Sequence, residues 1–504
     1  MTAFWTSILK ASEAGPVRAW RSYQVDETEW TRVAEALGGG TAVLLGLWGD
    51  TGTIRMAVLD EATHEIAVLA LACPTGSYPS VGRHHAAAQR PERATRDLFG
   101  LIPRDCPDER PWLDHGRWGV RQPLGAPTPD AGEGDTYGFL PVEGDGLHQV
   151  PVGPVHAGII EPGHFRFTGN GEAVVRLEER FGYVHKGIEG LMAGKSLDQA
   201  VRLAARTSGD STVAYGLAFS RAAEDALGVD VPPRAVWLRA LLAELERLAN
   251  HLGDIGAVCN DAAFALMLAH CGVLRERVLR AADTAFGHRL MRDLIVPGGV
   301  AADLDDNGIA AIRAALDEIR LRFPPLVNLY DNTASLQDRT VSTGRLDPAL
   351  ARRFGAGGFV GRASGRGFDA RKALGYAPYD RLSFEVPLLD AGDVDARVWI
   401  RIREVEQSLS LIEKILNELP QGSVFTDLKA VSTSCEGLAL VEGFRGDILV
   451  WLRIGEDGLI ERCHMRDPSW FQWPLLEAVI EGNIIADFPL CNKSFNCSYS
   501  GHDL

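Results

Sequence analysis

Apolar and polar positions change their spacing several times along the chain, and the first 122 residues mix helical and strand patterns. The run YQVDETEWTRVAEALGGG has helical spacing and ends at glycines, a usual stop for a helix. Three runs rich in apolar and β-branched residues, divided by Gly and Asp, predict strands: TAVLLGLWGD, TIRMAVLD and HEIAVLALAC. A second helical run, RHHAAAQRPERATRDLFG, follows. Residues 1–122 are therefore predicted to form an α+β domain.

Prolines and glycines interrupt every periodic pattern between Pro123 and Pro154. Such a composition favours a semi-extended connection rather than a packed element. We therefore predict a linker over residues 123–154.

The remaining residues, 155–504, predict a mainly helical domain with small β-sheets. The start of this part alternates apolar and polar positions around a tight GNGE turn, which predicts a β-meander. The run AVWLRALLAELERLANHLGDIGAV then places leucines at three- and four-residue intervals, as in a bundle helix: Leu238, Leu241, Leu242, Leu245 and Leu248. Three similar runs follow, one of them predicted to end at Pro324 and Pro325. A short β segment, GFRGDILVWLRIGEDGLIERCHM, precedes the last helical stretch. The predicted fold class is α+β.

The composition narrows the range of partners. The 504 residues carry a formal net charge of -16, which argues against nucleic acid as a partner because such proteins need a basic face. No charge-free apolar window reaches about eighteen residues and no signal peptide is evident, so we expect membrane contact through partners only. The eight cysteines form no CxxC pair, which is typical of reduced, mostly buried thiols in a cytoplasmic protein.

The stretch RTSGDSTVAY, residues 206–215, lies between two helical runs and combines small and polar residues. Ser and Asp cap helices well, so the residues alone favour a polar helix start. His251, on an apolar helix, is predicted to be a hydrogen-bonded structural histidine rather than a proton carrier. Arg362 and Arg366 either line a cavity or bind carbonyl groups of their glycine-rich loop.

Several motifs together resemble the large subunits of hydrogenases and of respiratory complex I. They are PGHFRF, RFGYVHKGIE, ELERLANHLGDIG, GHRLMRDLIVPGGVAADL and GFVGRASGRGFDARKALGYAPYD, which occur in that order. PERATRDLFGLIPRDCPDERPWLDHGRW resembles the small hydrophilic subunit of complex I. Fusion of the two parts is the arrangement of the formate hydrogenlyase and hydrogenase-4 large subunits, so the chain resembles that family. The resemblance implies a docking domain followed by a hydrogenase-like helical bundle.

The resemblance also implies where a nickel–iron centre would lie. The nickel–iron members carry R-x-C-G-x-C-x-x-x-H at residues 206–215 and a second CxxC near the C-terminus, because soft metals need thiolate ligands. Here the first pair is Ser208 and Ser211, and Tyr215 replaces the histidine. The second pair falls on Ser498 and Gly501 or, one residue earlier, on Cys497 and Ser500.

With at most one thiol left, the resemblance predicts no metal and no cofactor in this chain. It leaves a vestigial pocket, whose positions are Arg206, Ser208, Asp210, Ser211, Ser498 and Gly501. Catalytic subunits of the family are cut after their last motif. This sequence ends three residues after Gly501, so we expect nothing to be removed.

A quinone is the second ligand that the resemblance suggests. In the complex I relative a histidine and a tyrosine meet the quinone head group, and the corresponding positions here are Pro162 and Gly209. An aspartate of the following helix is kept as Asp261. Replacement donors nearby are His156, His164 and Tyr215, which together with Asp261 are the catalytic candidates.

Two functions follow from the resemblance. In the first, the chain is the large subunit of an assembly that passes electrons from an iron–sulfur cluster in a partner small subunit to an acceptor such as quinone. In the second, it is a non-catalytic structural or coupling subunit of such an assembly. Both place it on the cytoplasmic face of the cell membrane, with membrane antiporter-like subunits as further partners.

Overall fold

The computed structural model describes Trp5 and residues 20–130, 132, 134, 137–156, 160–429 and 432–504. Small sheets accompany many helices, which confirms the predicted α+β fold class. Most of residues 1–19, predicted as part of the first domain, lie outside the described residues, as do residues 131, 133, 135 and 136 of the predicted linker. Among the described residues, no helix combines the length and hydropathy needed to cross a bilayer.

The helices vary from single turns to eight turns. They are α1 (Glu27–Gly38), α2 (Gln89–Phe99), α3 (Ile188–Met192), α4 (Leu197–Ala204), α5 (Thr212–Leu227), α6 (Pro233–Asp261), α7 (Ala265–Phe286), α8 (Asp306–Asn332), α9 (Ala334–Thr340), α10 (Pro348–Arg353), α11 (Gly358–Ala363), α12 (Ala370–Ala373), α13 (Val394–Glu418), α14 (Ser469–Ile480), α15 (Phe488–Phe495) and α16 (Tyr499–Asp503). Short 3-10 turns cover Ala86–Ala88, Gly209–Ser211 and Ile485–Asp487.

The strands of the described residues form six small sheets. They are β1 (Trp20–Gln24), β2 (Val43–Asp50), β3 (Thr53–Asp60), β4 (Glu65–Ala72), β5 (Ser77–Pro79), β6 (Ile102–Arg104), β7 (Val120–Arg121), β8 (Thr128–Pro129), β9 (Leu147–Val152), β10 (His164–Asn170), β11 (Ala173–Arg180), β12 (Ile295–Val296), β13 (Gly299–Val300), β14 (Cys435–Gly443), β15 (Gly446–Ile454) and β16 (Ile460–Arg466).

The first sheet has the strand order β1-β4-β3-β2, with β1 parallel to β4 and the other pairs antiparallel. Its three strongly apolar strands are those predicted from the sequence. Helix α1 begins with a capping box, in which Asp26 and Glu29 satisfy each other's backbone N–H groups. Trp30 and Leu37 of that helix are buried in the core.

A three-stranded sheet, in the order β11-β10-β9, follows the connecting segment. The β10–β11 hairpin turns at Gly171, as the GNGE pattern predicts. Strand β9 lies within residues 123–154, which the composition predicts to be a linker, and pairs antiparallel with β10. Residues 147–152, at the end of that segment, are therefore a strand of this sheet. Their side chains differ in exposure along the strand, which suits pairing with the free edge of β10.

Helix α6 is 29 residues long and packs against α7 and α13 at the centre of the helical part. It begins at Pro233, a residue that suits the first turn because a first-turn N–H has no helical acceptor. The five leucines predicted to form its apolar stripe are all buried.

Helix α8 continues through Pro324 and Pro325, so the prediction that these prolines end it is wrong. Each proline removes one helical N–H donor. The carbonyl groups that lose their donors belong to Arg320 and Leu321, which lie on the exposed side, where water can replace the missing partners. Buried side chains on either side, among them Phe323, hold the two halves in place.

The sheet formed by β14, β15 and β16 joins the N-terminal sheet to the helices. Trp48 of β2 lies against Trp451 and stacks on His464, with ring centroids 5.6 and 4.7 Å apart. Arg55 of β3 pairs with Glu436 of β14 at 3.0 Å. The hairpin between β14 and β15 turns at Phe444 and Arg445, which brings this turn to the candidate site.

Candidate functional site

The middle and the end of the chain meet at the positions where the resemblance places two ligand pairs. Ser208 precedes the 3-10 turn that leads into α5, Ser211 ends that turn, and Ser498 caps α16. The Ser498 hydroxyl donates to the Ser208 hydroxyl at 3.2 Å, and the Gly501 N–H donates to Ser498 Oγ at 2.9 Å. The structure thus brings together two pairs of positions that lie far apart in the sequence.

The geometry distinguishes the two registers that the sequence leaves open. The buried Cys497 thiol contacts Gln472 Oε1 at 3.8 Å, whereas the Ser498 hydroxyl contacts the Ser208 hydroxyl. Burial raises the pKa of the Cys497 thiol well above its ordinary value. The pair at the pocket is therefore Ser498 and Gly501.

An ion pair between Asp210 and Arg445 occupies the pocket beside the serines. Arg445 is buried and donates to the two Asp210 oxygens at 2.8 and 2.5 Å, while its Nε donates to the Asn496 carbonyl. Ser208 donates to Asp210 at 2.6 Å. Burial acts to raise the pKa of Asp210, but the charge and hydrogen bonds of Arg445 outweigh it and hold that pKa well below its ordinary value. Asp210 is therefore an ionised partner of Arg445.

A second carboxylate, Asp467, fills the space beside Gly501. Its Oδ2 accepts a hydrogen bond from the Tyr215 hydroxyl at 2.6 Å, and both residues are buried. A Cβ atom added at Gly501 would lie 2.4 Å from that same oxygen. Burial, reinforced by the Asp467 charge, raises the pKa of Tyr215 well above its ordinary value. Tyr215 thus keeps its proton and donates a hydrogen bond to Asp467.

Two residues of α6 support the start of α5. Both Glu246 oxygens accept backbone N–H groups, from Val213 at 2.7 Å and Ala214 at 3.0 Å. Asn250 donates to the Asp210 carbonyl at 2.7 Å. Burial raises the pKa of Glu246 to about 8, although the two N–H groups oppose the shift. These contacts cap α5 and fix the 3-10 turn, so capping and pocket formation go together.

Arg206 is directed away from the pocket. Its guanidinium makes two hydrogen bonds to Asp293, at 2.6 and 2.7 Å, and its side chain is 42% exposed. The motif position is present, but its side chain forms a surface ion pair.

The replacement donors divide between two places. His156 is half-buried beside Tyr499, whose hydroxyl lies 3.3 Å from His156 Nε2. His164 instead contacts Arg166 and the Gly153 carbonyl in the sheet, and burial lowers its pKa. Glu161 accepts the Ser500 N–H at 2.9 Å. His156 and Glu161 therefore lie against Tyr499 and Ser500, and His164 does not take part.

Asp261 lies half-buried at the end of α6, where its side chain accepts a hydrogen bond from Asn260 at 3.5 Å. Burial raises the pKa of Asp261. The charge of Lys493 acts on both Asp261 and Asp210. Lys493 is therefore a positive group near both carboxylates.

Sequence reasoning missed Arg445 and Asp467, the two charged residues that fill the pocket. Arg445 lies in the tight turn of GFRGD, and Asp467 directly precedes Pro468 at the start of α14. Both positions are typical of turns, so a structural role is the ordinary interpretation. The signal for a site role is their spatial proximity to residues 208–215, which a single sequence does not contain.

Hydroxyl, carboxylate and guanidinium groups, rather than thiols, make up this pocket. In the described part of the chain, no group of three or more His, Cys, Asp and Glu side chains is arranged to hold a metal ion. A separate apolar cavity of about 390 Å³ lies between the N-terminal sheet and residues 185–191, and none of the predicted site residues lines it. These groups form hydrogen bonds and ion pairs with one another.

Comparison with known proteins finds relatives among hydrogenase and NADH dehydrogenase subunits. The family described as "Respiratory-chain NADH dehydrogenase, 49 Kd subunit" matches residues 261–436. Formate hydrogenlyase subunit 5 of Escherichia coli (strain K12) is 33% identical over 439 residues, covering 84% of this chain and 77% of the relative. Hydrogenase-4 component G of the same strain is 30% identical over 438 residues, covering 84% and 76%. An NADH-quinone oxidoreductase subunit of Desulfotalea psychrophila (strain LSv54 / DSM 12343) is 30% identical over 348 residues, covering 68% and 93%.

Proposed function

The chain belongs to the family of formate hydrogenlyase subunit 5 and hydrogenase-4 component G, and on that premise we propose that it acts in electron transfer without a nickel–iron centre. It is a subunit of a complex I-like oxidoreductase. In this proposal it is the large subunit, and electrons arrive from an iron–sulfur cluster in a partner small subunit. An acceptor such as a quinone takes up two electrons and two protons beside this chain and leaves as the quinol.

The observation that carries the proposal is which residues occupy the four positions where the nickel–iron relatives have thiolate ligands. Three are serines and one is glycine, and serine hydroxyls do not ionise readily enough to serve as ligands of soft metals. The space beside them holds the Arg445–Asp210 ion pair and the Asp467 carboxylate. A buried guanidinium repels a metal cation. These residues do not fit a nickel–iron group, and no step of the proposed reaction passes through one.

The residues that support an acceptor site are the proton donors next to the pocket. The half-buried His156 and the buried Tyr499 lie within hydrogen-bond distance of each other. Imidazole and phenol groups donate hydrogen bonds to carbonyl oxygens such as those of a quinone head group. Asp261, whose pKa is raised by burial, is the second source of protons in the proposal.

Exposed apolar side chains support contact with partner subunits. Val155 and Ile160 flank the loop of His156, and Leu266 and Leu268 follow Asp261. Apolar side chains grouped near a functional site are typical of protein interfaces. The proposal therefore places the iron–sulfur subunit over the residues around His156 and Asp261. Contact with the cytoplasmic face of the membrane comes through the antiporter-like partners.

The test is metal analysis of the purified assembly together with assays of quinone reduction and hydrogen evolution. We expect no nickel bound in proportion to this chain, no hydrogen evolution, and quinone reduction that falls at least tenfold in Asp261→Ala. Asp317→Ala is the matched control, because that carboxylate lies on the surface with a side chain 76% exposed. Nickel at one atom per chain, or hydrogen evolution, would refute the proposal.

A structural or coupling role without chemistry is the second candidate. The ion pair and the Tyr215–Asp467 hydrogen bond close the pocket with the chain's own groups, which favours it. Two results together would select this second role. The intact wild-type assembly would reduce no quinone, and the Asp210→Asn assembly would lose ion transport by the membrane subunits.

A further inference from the structure

A cluster of eight ionisable side chains lies inside the helical part of the chain, away from the surface. Its members come from α6, α11, α12 with the residue before it, α13 and β14, and each is at most 3% exposed: Glu244, Arg247, His251, Arg362, Asp369, Arg371, Glu404 and Glu442. Burying so many charges is costly unless they are paired and hydrogen-bonded. The contacts show how far each carboxylate is compensated.

Glu404 has the most positive contacts. Its Oε1 accepts from Arg362 Nε at 2.8 Å, and its Oε2 accepts from Arg247 Nη1 at 3.3 Å and lies 2.7 Å from His251 Nε2. The positive charge of Arg362 and the His251 hydrogen bond outweigh burial and hold the pKa of Glu404 well below its ordinary value. Glu404 is ionised.

Arg371 compensates two further carboxylates. It makes two hydrogen bonds to Asp369, at 3.0 and 2.6 Å, and one to Glu244 at 2.8 Å. Glu244 also accepts from the hydroxyls of Tyr379 and Ser408, both at 2.8 Å. Both carboxylates are therefore supplied with donors that stabilise the ionised form.

Glu442 is the least compensated carboxylate. It accepts from a single guanidinium nitrogen, Arg362 Nη1, at 2.8 Å, and from the Ala370 N–H at 2.9 Å. The same Arg362 nitrogen lies 3.5 Å from Asp369. Two carboxylates thus share one positive group, an arrangement that disfavours ionisation of both.

The count of charges does not balance. Four carboxylates face three guanidinium groups, and arginine does not lose its proton in proteins. Four ion pairs lie on the surrounding elements: Asp254–Arg401, Asp210–Arg445, Asp447–Arg466 and Glu224–Arg239. The charges of Asp225 and Asp393 act on Arg221 and Arg397, and neither arginine forms an ion pair with the cluster in the described residues. Glu246 accepts two backbone N–H groups. The cluster therefore needs one additional proton to avoid a net negative charge in the interior.

We propose that Glu442 binds this proton, so that the cluster is an internal proton-binding site of the helical domain. His251 is the other group that could take it. A protonated His251 would carry a second N–H at Nδ1, for which the described residues offer no acceptor. Burial, with the nearby Asp369 charge, raises the pKa of Glu442 to about 7, whereas burial lowers the pKa of His251.

The position of Glu442 links the proton to the candidate site. Glu442 and Arg445 lie on the same β14–β15 hairpin, and Arg247 donates to the Glu442 carbonyl at 3.1 Å. The inference concerns the resting charge of the cluster and does not depend on whether the chain reduces a quinone.

Infrared difference spectroscopy of the full-length chain in its purified assembly tests the inference. The wild type is expected to show two protonated-carboxyl bands sensitive to deuterium exchange: one from Glu246, identified by its loss in Glu246→Gln, and one from Glu442 that disappears as the pH rises through about 7. Glu442→Gln removes that band. Asp369→Asn removes it as well, although Glu442 is intact, because three carboxylates then balance three arginines. Glu461→Gln, a change at a 45% exposed side chain, leaves the band unchanged.

Two results would overturn the inference. One is a wild-type spectrum that does not differ from that of Glu442→Gln, which would place the proton on His251 or elsewhere. The other is a Glu442 band that persists in Asp369→Asn. If Asp369→Asn does not fold, Glu244→Gln gives the same prediction from the other side of the cluster. Glu442→Gln keeps the size of the side chain but places its NH2 group opposite an N–H donor, either Arg362 or Ala370, so its folding is checked by circular dichroism before the spectra are compared.

Discussion

Replacement of Asp210 by Asn or of Arg445 by Met removes one partner of the ion pair that occupies the candidate site. In each variant the remaining partner loses its charge-assisted hydrogen bonds. Arg445 keeps the Asn496 carbonyl and Ser211 as neutral partners, and Asp210 keeps Ser208. Both single variants are therefore expected to lower the free energy of unfolding.

The magnitude follows from the burial of the two partners. Removing one member of a fully buried pair costs about 3–5 kcal/mol. Arg445 is 6% exposed, but the Asp210 side chain is 34% exposed, so water screens part of the interaction. We expect about 2–3 kcal/mol for each single variant. The double variant should cost about 1–2 kcal/mol less than the sum of the singles, because neither partner is then left unpaired.

A double-mutant cycle in urea measures this coupling energy. The control is the Arg206–Asp293 pair, whose side chains are 42% and 35% exposed and whose coupling should stay below about 1 kcal/mol. The depressed pKa of Asp210 sets the pH dependence: its contribution is present above the ordinary carboxyl pKa and is lost as the pH falls below it. Equal coupling energies for the two pairs, or none at Asp210–Arg445, would refute the assignment of a buried ion pair.

Three further predictions test the surroundings of this pair. Gly501→Ala should lower the thermal midpoint by an amount equivalent to about 1–3 kcal/mol, because the added Cβ would lie 2.4 Å from Asp467 Oδ2, whereas Gly209→Ala, in open space, should have little effect. Tyr215→Phe should cost about 1.5–3 kcal/mol in a urea titration by removing the hydrogen bond to the Asp467 carboxylate; an unchanged midpoint would contradict it. The pKa of Glu246, raised to about 8, means that its protonation stabilises the fold fully below the ordinary value of 4.5 and that this stabilisation is lost as the pH rises to 8. Glu246→Gln should reduce the change of the unfolding midpoint with pH across that range. An unaltered pH dependence would assign it to another group.

Local patterns predicted the elements well. The leucine stripe of α6 and the turn of the β10–β11 hairpin depend on neighbours within a few residues, and a single sequence contains that information. Pro324 and Pro325 show the limit of local reasoning. Their cost is local, but the packing that offsets it comes from residues elsewhere in the chain.

The site was only partly predictable for the same reason. The resemblance identified Ser208, Ser211, Ser498 and Gly501, and the structure brings these four positions together. It gave no indication of what replaces the absent ligands. Arg445 comes from a hairpin 235 positions away from Asp210, and such a pairing leaves no trace in local spacing. Nor does a motif position fix the direction of a side chain, as the exposed Arg206 shows.

The pocket contacts also account for how the chain's middle and end stay joined. In nickel–iron relatives the resemblance implies metal–thiolate bonds between the two segments. Here Ser498 bonds to Ser208, and Tyr215 bonds to Asp467, which precedes the final helices. Arg445 spans both sides, since it contacts Asp210 in one segment and the Asn496 carbonyl in the other. Each hydrogen bond contributes only about 1–2 kcal/mol, so several are needed to replace one metal centre. If these hydrogen bonds do replace the metal centre, each single variant should lower the stability of the last helical turn by a part of the total. Metal removal from a nickel–iron relative would instead release that turn in one step.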